Sequence, residues 1–381
     1  MKTKFLSYLS TFFQALLITG ITVLAILPFS CKVSTEGIEI AAGDYDSPVI
    51  ESVAVLDERR LELNFSEWVR IRNAVISPYI SGISDSYESS GGRNLSKAIS
   101  AAVGRYDALQ CAIDSSDDGK SIVFTFEKST KVGKNYEALG VVEDKAGNTL
   151  TFCIPFTGFN PKIPKVLITE VQPKYKGTVN KVPLYRNEFV ELLALEDGNL
   201  CGLEVFFASY ESKNRYELPP VEVHKGEVVL IHLRMAGDGC ISELEENLEE
   251  STRTYSCDGV RDLWSDNKSK TSDYDNDILI VRNLISGEIM DGLMYSNGKI
   301  EEWEGSCLSF AWDLVNAGIY DSVDVDFSAE SKNLKSDASK SLCRSDSDVL
   351  RKKLLSGFVF EESIKQDKNL WSVKDPSPGT L

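Results

Sequence analysis

Leu61-Glu-Leu-Asn-Phe65 and Ile122-Val-Phe-Thr-Phe126 are the two stretches that decide the fold. Each places an apolar side chain at every second position, which is typical of a β-strand with one buried face. Three similar segments, short and bounded by turn-forming residues, lie at 49–56, 136–142 and 150–154. Short strands at close spacing predict an antiparallel β-sandwich.

A second run of predicted strands follows the joint Asn160-Pro-Lys-Ile-Pro164. These strands lie at 165–171, 188–195, 203–207, 228–231 and 277–282. The sequence therefore predicts an all-β fold with two Ig-like antiparallel β-sandwiches in tandem, one at residues 46–160 and one at residues 161–381.

Two insertions interrupt the second predicted sandwich, an acidic one at 237–272 and another at 350–368. We expect both to be short helical or irregular segments. Apolar residues in and beside the second insertion have a spacing that could line a short helix, namely Val349, Leu350, Leu354, Leu355 and Phe358.

The chain begins with the basic stretch Met1-Lys-Thr-Lys4, an apolar run over 12–27 and then Pro28-Phe-Ser-Cys31. This order is typical of a signal peptide. The last four residues resemble the lipobox of bacterial lipoproteins, in a relaxed form similar to that of spirochaetes because Pro28 replaces the usual leucine. The resemblance implies a signal peptide at 1–30, lipid on Cys31 and a lipidated tether at 31–45.

The alternative is an uncleaved transmembrane anchor. A helix that spans a bilayer needs about 20 apolar residues, whereas this run is shorter and is interrupted by Gln14, Thr19, Gly20 and Thr22. We therefore expect the membrane to be a partner through the lipid on Cys31.

The first predicted sandwich resembles the bacterial Ig-like domains of exported proteins. The similarity lies in Ser47-Pro-Val-Ile-Glu-Ser-Val53, Leu61-Glu-Leu-Asn-Phe-Ser-Glu67 and Asp144-Lys-Ala-Gly-Asn148. Gly147 and Asn148 tolerate a positive φ, as the last of these motifs requires for a tight turn. A Ser/Gly-rich insertion at 82–95 departs from the family pattern. The resemblance implies a structural role.

The second predicted sandwich resembles the lamin tail domain family. The similar motifs are Val166-Leu-Ile-Thr-Glu-Val171, Asn187-Glu-Phe-Val-Glu-Leu-Leu193, Leu200-Cys-Gly-Leu203, Ser341-Leu-Cys-Arg344 and the stretch from Trp371-Ser to Pro376-Ser-Pro-Gly379. Leu203 stands where the family often has tryptophan. The resemblance implies an Ig-like sandwich that serves as an accessory module, and it implies a closing strand at Trp371.

The chain has 58 acidic and 41 basic side chains, a formal net charge of -17. Nucleic-acid binding draws much of its affinity from basic side chains that neutralise phosphates. We therefore expect no nucleic-acid partner.

Seven cysteines remain besides Cys31, and none has the CxxC spacing of a zinc or redox site. Cys240 and Cys257 flank an acidic stretch, so a disulfide between them is one interpretation. Separate, partly buried cysteines are the other.

Catalytic motifs are lacking, and the chain has only two histidines, His224 and His232. We expect no catalytic residue, no metal and no cofactor. Asp273, Asp275 and Asp277 are weak calcium candidates, because they lack the glycine and the closing glutamate of an EF-hand loop. Glu170, Glu188 and Glu191 fall on predicted strands and need not form an acid/base pair.

These observations predict a binding or scaffolding lipoprotein of the cell envelope, anchored to the inner or outer membrane and periplasmic or surface-exposed. Its partner would be a protein or a glycan. The alternative is an exported hydrolase that depends on carboxylates or calcium, and converging carboxylates in a deep pocket would favour it.

Overall fold

A computed structural model describes residues 31–34, 37–40, 44–79, 108–179, 181–211, 215–235, 237–269, 271–272, 275–360 and 364–381. The predicted signal peptide and the insertion at 82–95 lie outside these residues. Within the predicted tether, β1 (Cys31–Ser34) and β2 (Gly37–Ile40) form an antiparallel pair. No helix of the described chain is long and apolar enough to cross a bilayer.

The first sandwich has two antiparallel sheets, with strand orders β3-β4-β7-β6 and β5-β8-β9. Its strands are β3 (Ile50–Asp57), β4 (Arg60–Phe65), β5 (Arg70–Pro78), β6 (Cys111–Ser115), β7 (Ser121–Phe126), β8 (Asn135–Glu143) and β9 (Thr149–Thr157). A four-stranded sheet packed on a three-stranded one is the arrangement of Ig constant-type domains.

Alternating side chains of β4 and β7 build the core of the first sandwich. The register pairs Leu61 with Phe124 and Leu63 with Ile122, and all four side chains are fully buried. Residues of the other sheet complete this core, including Ile76, Ala138, Val142 and Phe152. The alternation in the sequence therefore correctly identified the buried face.

Two strands of the first sandwich, β5 and β6, were not predicted. β5 carries an irregularity in its pairing with β8 between Ile71 and Asn73, which breaks the alternation. β6 is an edge strand, and four of its five residues are exposed. Pairing with β7, rather than apolar patterning, makes it a strand.

The predicted turn between β8 and β9 is present. Gly147 has a φ of +92°, and the Asp144 carboxylate accepts a hydrogen bond of 2.8 Å from the Asn148 N–H. Of these two residues, only Gly147 has a positive φ. The Asn148 side-chain amide donates to the Asp144 carboxylate at 2.7 Å.

The second sandwich has a six-stranded sheet, β19-β18-β13-β10-β23-β24, and a five-stranded sheet, β16-β15-β20-β21-β22. Two short pairs, β11-β12 and β14-β17, flank them. The strands are β10 (Val166–Gln172), β11 (Lys176–Val179), β12 (Val182–Arg186), β13 (Phe189–Ala194), β14 (Gly198–Asn199), β15 (Leu203–Phe207), β16 (Tyr216–Glu217), β17 (Glu222–Val223), β18 (Val228–His232), β19 (Arg261–Trp264), β20 (Asp277–Asn283), β21 (Ile289–Ser296), β22 (Ala329–Glu330), β23 (Ser341–Arg344) and β24 (Trp371–Lys374).

The second sandwich is not wholly antiparallel, in contrast to the prediction. β19 runs parallel to β18, and β22 runs parallel to β21. A parallel pair needs a long crossover connection, and the acidic insertion supplies one between β18 and β19. The all-β architecture of two packed sandwiches is nevertheless confirmed.

Two helices cover the outer faces of the second sandwich. α1 (Gly305–Asn316) packs Phe310, Ala311 and Leu314 on the five-stranded sheet. α2 (Ser347–Leu355) packs Leu350 and Leu354 on the six-stranded sheet. The predicted helix near residue 350 is thus present, although Val349, Leu355 and Phe358 are largely exposed. α1 was not predicted.

The two sandwiches meet at the predicted Pro-containing joint. The Asn160 side-chain amide donates to the carbonyl oxygens of Asn199 and Cys201 at 2.7 and 2.6 Å. Gly133 of the first sandwich approaches Pro220 of the second so closely that a Cβ at Gly133 would lie 2.5 Å from it.

We predict that Leu314→Ala lowers the free energy of unfolding of the second sandwich by about 2–5 kcal/mol, because it leaves a cavity between α1 and the sheet. Urea denaturation measures the loss. Leu308→Ala on the same helix is the control, since Leu308 is 39% exposed and should cost far less. Equal losses for the two variants would contradict the packing of α1 described above.

Candidate functional site

The outer face of the six-stranded sheet carries a row of buried polar side chains. Strand register places Asp262, Leu230, Glu191, Glu170 and Cys343 side by side across β19, β18, β13, β10 and β23. Apolar residues of the same strands, such as Val171 and Val190, face the inner core instead. We call Asp262, Glu191, Glu170 and Cys343 the polar row.

Glu170 and Glu191 are neighbours that hold the chain following β24, residues 375–381, here called the closing segment. The Gly379 N–H donates to Glu191 at 2.7 Å, and the Ser377 N–H donates to Glu170 at 3.0 Å. The Thr169 hydroxyl also donates to Glu191, at 2.6 Å, and the Ser341 hydroxyl donates to Glu170. The closing segment therefore lies across both carboxyl groups.

Burial controls the protonation of this pair. It raises the pKa of Glu191 to about 7, and the nearby charge of Glu170 acts in the same direction. Burial also raises the pKa of Glu170, although hydrogen bonds from Ser341 and Ser377 oppose the rise. Two facing carboxylates cannot both ionise without repulsion.

The histidines that the sequence singled out lie apart. His232 is buried, stacks on Trp264 with ring centroids 3.9 Å apart, and places Nε2 2.5 Å from an oxygen of Asp262. His224 is largely exposed, and its Nδ1 lies 3.8 Å from Asp197. The two rings therefore do not converge on one site.

Glu188, the third predicted glutamate, belongs to a separate cluster. One of its oxygens accepts from Arg234 at 2.5 Å, and the Arg234 guanidinium lies 4.1 Å from the centre of the Tyr175 ring. Burial raises the pKa of Glu188, and the charge of Arg234 lowers it. Glu188 is thus a buried ion-pair partner and does not contact the Glu170–Glu191 pair.

The acidic insertion is held by hydrogen bonds to its own backbone. The Glu243 carboxylate accepts from the N–H groups of Glu250, Ser251 and Asp262 at 2.8–3.1 Å. The Arg261 guanidinium donates to the carbonyl oxygens of Glu243 and Glu245 at 2.6 and 2.8 Å. Both buried side chains thereby tie the insertion to β19.

The predicted disulfide between Cys240 and Cys257 is not formed, since Cys257 has a free thiol. This thiol faces the closing segment: a Cβ at Gly379 would lie 2.9 Å from the Cys257 sulfur. The disulfide was one of the two interpretations of these cysteines, and the polar contacts of Glu243 and Arg261 hold the insertion without it.

The predicted calcium candidates do not come together. Asp275 forms an ion pair with Lys174 at 3.0 Å, and Asp277 accepts from the Ser209 N–H at 3.1 Å. Asp273 lies outside the described residues. Asp277 is the first residue of β20, whereas Asp275 precedes the strand, and each carboxylate binds its own partner.

Sequence reasoning missed a group of three carboxylates in the first sandwich. Oxygens of Asp44, Glu67 and Asp144 lie within 4.8 Å of one another. Glu67 and Asp144 both belong to motifs of the Ig-like resemblance, so their positions in those motifs were the available signal. Acidic residues alone do not establish a metal site, and we assign none here.

An open cleft of about 700 Å³ lies at the amino end of α1. Glu301, Glu302 and Glu304 line it together with Ser209 and Asn276. The side chain of Glu304, the residue before α1, does not cap the helix. Polar groups at a helix start and exposed carboxylates on one rim can bind a ligand that both donates and accepts hydrogen bonds.

A family model described as a protein second domain matches residues 164–373. The chain belongs to this family. An uncharacterised protein of Treponema pallidum is 30% identical to the chain over 208 residues, which are 54% of this chain and 50% of that protein. The chain thus spans about half the length of this relative, which is a protein of a spirochaete.

Solved structures give weaker likenesses. The N-terminal part of the bacterial S-layer protein SbsC superposes with a TM-score of 0.23 and 16% identity, over 48% of this chain and 40% of that one. A DUF4876 family protein from Bacteroides thetaiotaomicron superposes with a TM-score of 0.28 and 9% identity, over 67% of this chain and 82% of that one. Superpositions at this level do not establish a common fold. The matched family region, in contrast, contains the polar row, the acidic insertion and the cleft.

Trp371 is the first residue of β24, the strand that precedes the closing segment. It is 7% exposed, and its Nε1 donates to the Gln366 side chain at 2.9 Å. We predict that Trp371→Ala lowers the free energy of unfolding by about 3–5 kcal/mol. Deletion of residues 370–381 should unfold the second sandwich and leave the first with its own calorimetric transition.

Trp312→Ala is the matched control for Trp371→Ala, because Trp312 is 52% exposed on α1. It should leave both calorimetric transitions in place. A truncated chain that melts like the intact one would show that β24 and the closing segment contribute nothing to the second sandwich.

Proposed function

We propose that the protein is a lipid-anchored binding module of the cell envelope. In this proposal the signal peptide at 1–30 directs export, and lipid on Cys31 holds the chain on the inner or outer membrane. The relative from a spirochaete supports this interpretation, since the relaxed lipobox of this chain resembles those of spirochaetes. Two or more acyl chains hold a protein stably on a membrane.

The open cleft at the amino end of α1 is the observation that carries the binding role. Its acidic rim comes from the loop between β21 and α1, so loop changes can alter the ligand without disturbing the sheets. A protein or a glycan is the proposed partner. The lamin-tail-like second sandwich would present this cleft, and the Ig-like first sandwich would space it from the membrane.

The proposal is a binding role rather than catalysis. The carboxyl pair Glu170–Glu191 meets a requirement of acid/base chemistry, since two carboxyls face each other. Its oxygens, however, accept hydrogen bonds from the chain's own Thr169, Ser341, Ser377 and Gly379. A substrate could reach these atoms only if the closing segment moved away.

The first test concerns the anchor. We predict that Cys31→Ala abolishes incorporation of labelled fatty acid and moves the protein out of the membrane fraction. Cys111→Ala, at a half-buried cysteine of the first sandwich, is the control and should keep the label. Mass spectrometry of the mature amino terminus reads the modification directly, and an unacylated terminus in the wild-type protein would refute the anchor.

The second test concerns the cleft. We predict that Glu301→Gln with Glu302→Gln weakens capture of envelope proteins and glycans at least tenfold relative to the wild-type chain, because it removes two acceptor charges from the rim. Glu245→Gln with Glu249→Gln removes the same charge from exposed positions of the acidic insertion. Equal capture by both double variants would place binding elsewhere.

A further inference from the structure

The closing segment is attached to the sheet through groups that can change charge. Its Ser377 and Gly379 N–H groups donate to Glu170 and Glu191, which are 2% and 1% exposed and lie opposite each other on paired strands. We propose that Glu170, Glu191 and residues 375–381 form a proton-sensitive clamp. The segment stays closed while the carboxyl pair retains a proton, and it is released when both carboxyls are ionised.

Release is favoured by ionisation because the closed segment, whose N–H groups contact both carboxyls, helps to keep water away from the pair. With the segment lifted, each carboxylate would be hydrated, and the repulsion between the two charges would be screened. With the segment closed, the second charge must be held at the buried site, where its solvation is poor. A proton on one carboxyl removes this cost.

Among the residues that the structure describes, few other ionisable groups face the pair. They are Cys343 of β23, Tyr255 and Cys257 of the insertion, Arg351 of α2, and more distantly Lys374 of β24 and Asp262 of β19. Burial raises the pKa of Cys343 to about 11 and that of Tyr255 to about 12, and it also raises the pKa of Cys257. These three groups therefore remain protonated at neutral pH.

Burial of Glu191 sets the direction of the pH effect, because it outweighs the hydrogen bonds from Thr169 and Gly379, which lower the pKa of this group. This pKa is about 7 with the segment closed, and a hydrated glutamate titrates near 4.5. The closed state therefore binds more protons between these values, so its advantage is complete below pH 4.5 and is lost as the pH rises to about 7. Each pH unit in this window favours opening by up to tenfold.

Hydrogen–deuterium exchange of the full purified chain tests the clamp. Protection of the peptide spanning residues 371–381, corrected for intrinsic exchange, should fall up to tenfold per pH unit between pH 5 and 7. It should then level off above pH 7. Protection of β4 in the first sandwich provides the internal reference and should not change. A flat profile for residues 371–381, or one that rises with pH, would overturn the proposal.

Glu191→Gln identifies the titrating group. The amide oxygen can still accept from the Gly379 N–H, so the segment should stay protected to the same degree from pH 5 to 8. Glu249→Gln, at an exposed carboxyl of the insertion, should keep the wild-type profile. If Glu191→Gln retains the wild-type slope, another group drives the change and the clamp is wrong. Glu170→Gln is the second variant should Glu191→Gln not fold.

Discussion

A buried carboxyl group must be hydrogen-bonded, and this requirement organises the second sandwich. Removing an ionised carboxylate from water costs several kcal/mol unless donors replace the lost hydration. The six-stranded sheet places Glu170, Glu191 and Asp262 on its outer face. Thr169 and Ser341 of the sheet donate to the two glutamates, and further donors come from segments outside the sheet: the closing segment for the two glutamates and the Cys257 N–H of the acidic insertion for Asp262. Both segments are therefore structural parts of the domain.

The two outer faces of the second sandwich are covered by different kinds of contact. On the five-stranded sheet, α1 makes an apolar contact through Phe310 and Leu314, which does not depend on pH. On the six-stranded sheet, α2 adds a smaller apolar contact around Leu350 and Leu354, and the polar row lies beside it. In the clamp that we propose, the covering of the polar row depends on protonation. The cleft lies at the amino end of α1, the helix that makes the apolar contact with the five-stranded sheet.

The four-stranded sheet of the first sandwich differs because one of its faces remains largely open. In β4 the apolar side chains Leu61, Leu63 and Phe65 are buried, and the residues between them are half-buried. The outward-facing side chains of this sheet are half-buried or exposed. This arrangement suits the spacer role that we propose for the first sandwich, beside a second domain that belongs to a family of its own.

The sequence by itself determined the strands that have one buried face and the turn that a few adjacent residues form. β4, β7 and the turn at Gly147 were predicted because alternation and turn chemistry act over a few residues. It also marked Glu170 and Glu191 as strand residues. Only the tertiary structure decided that they face each other beneath residues more than 180 positions away, and that Cys257 meets the closing segment instead of Cys240. Long-range pairing decided the strand register, the parallel direction of β19 and which sheet α1 covers. No local pattern encodes such pairing.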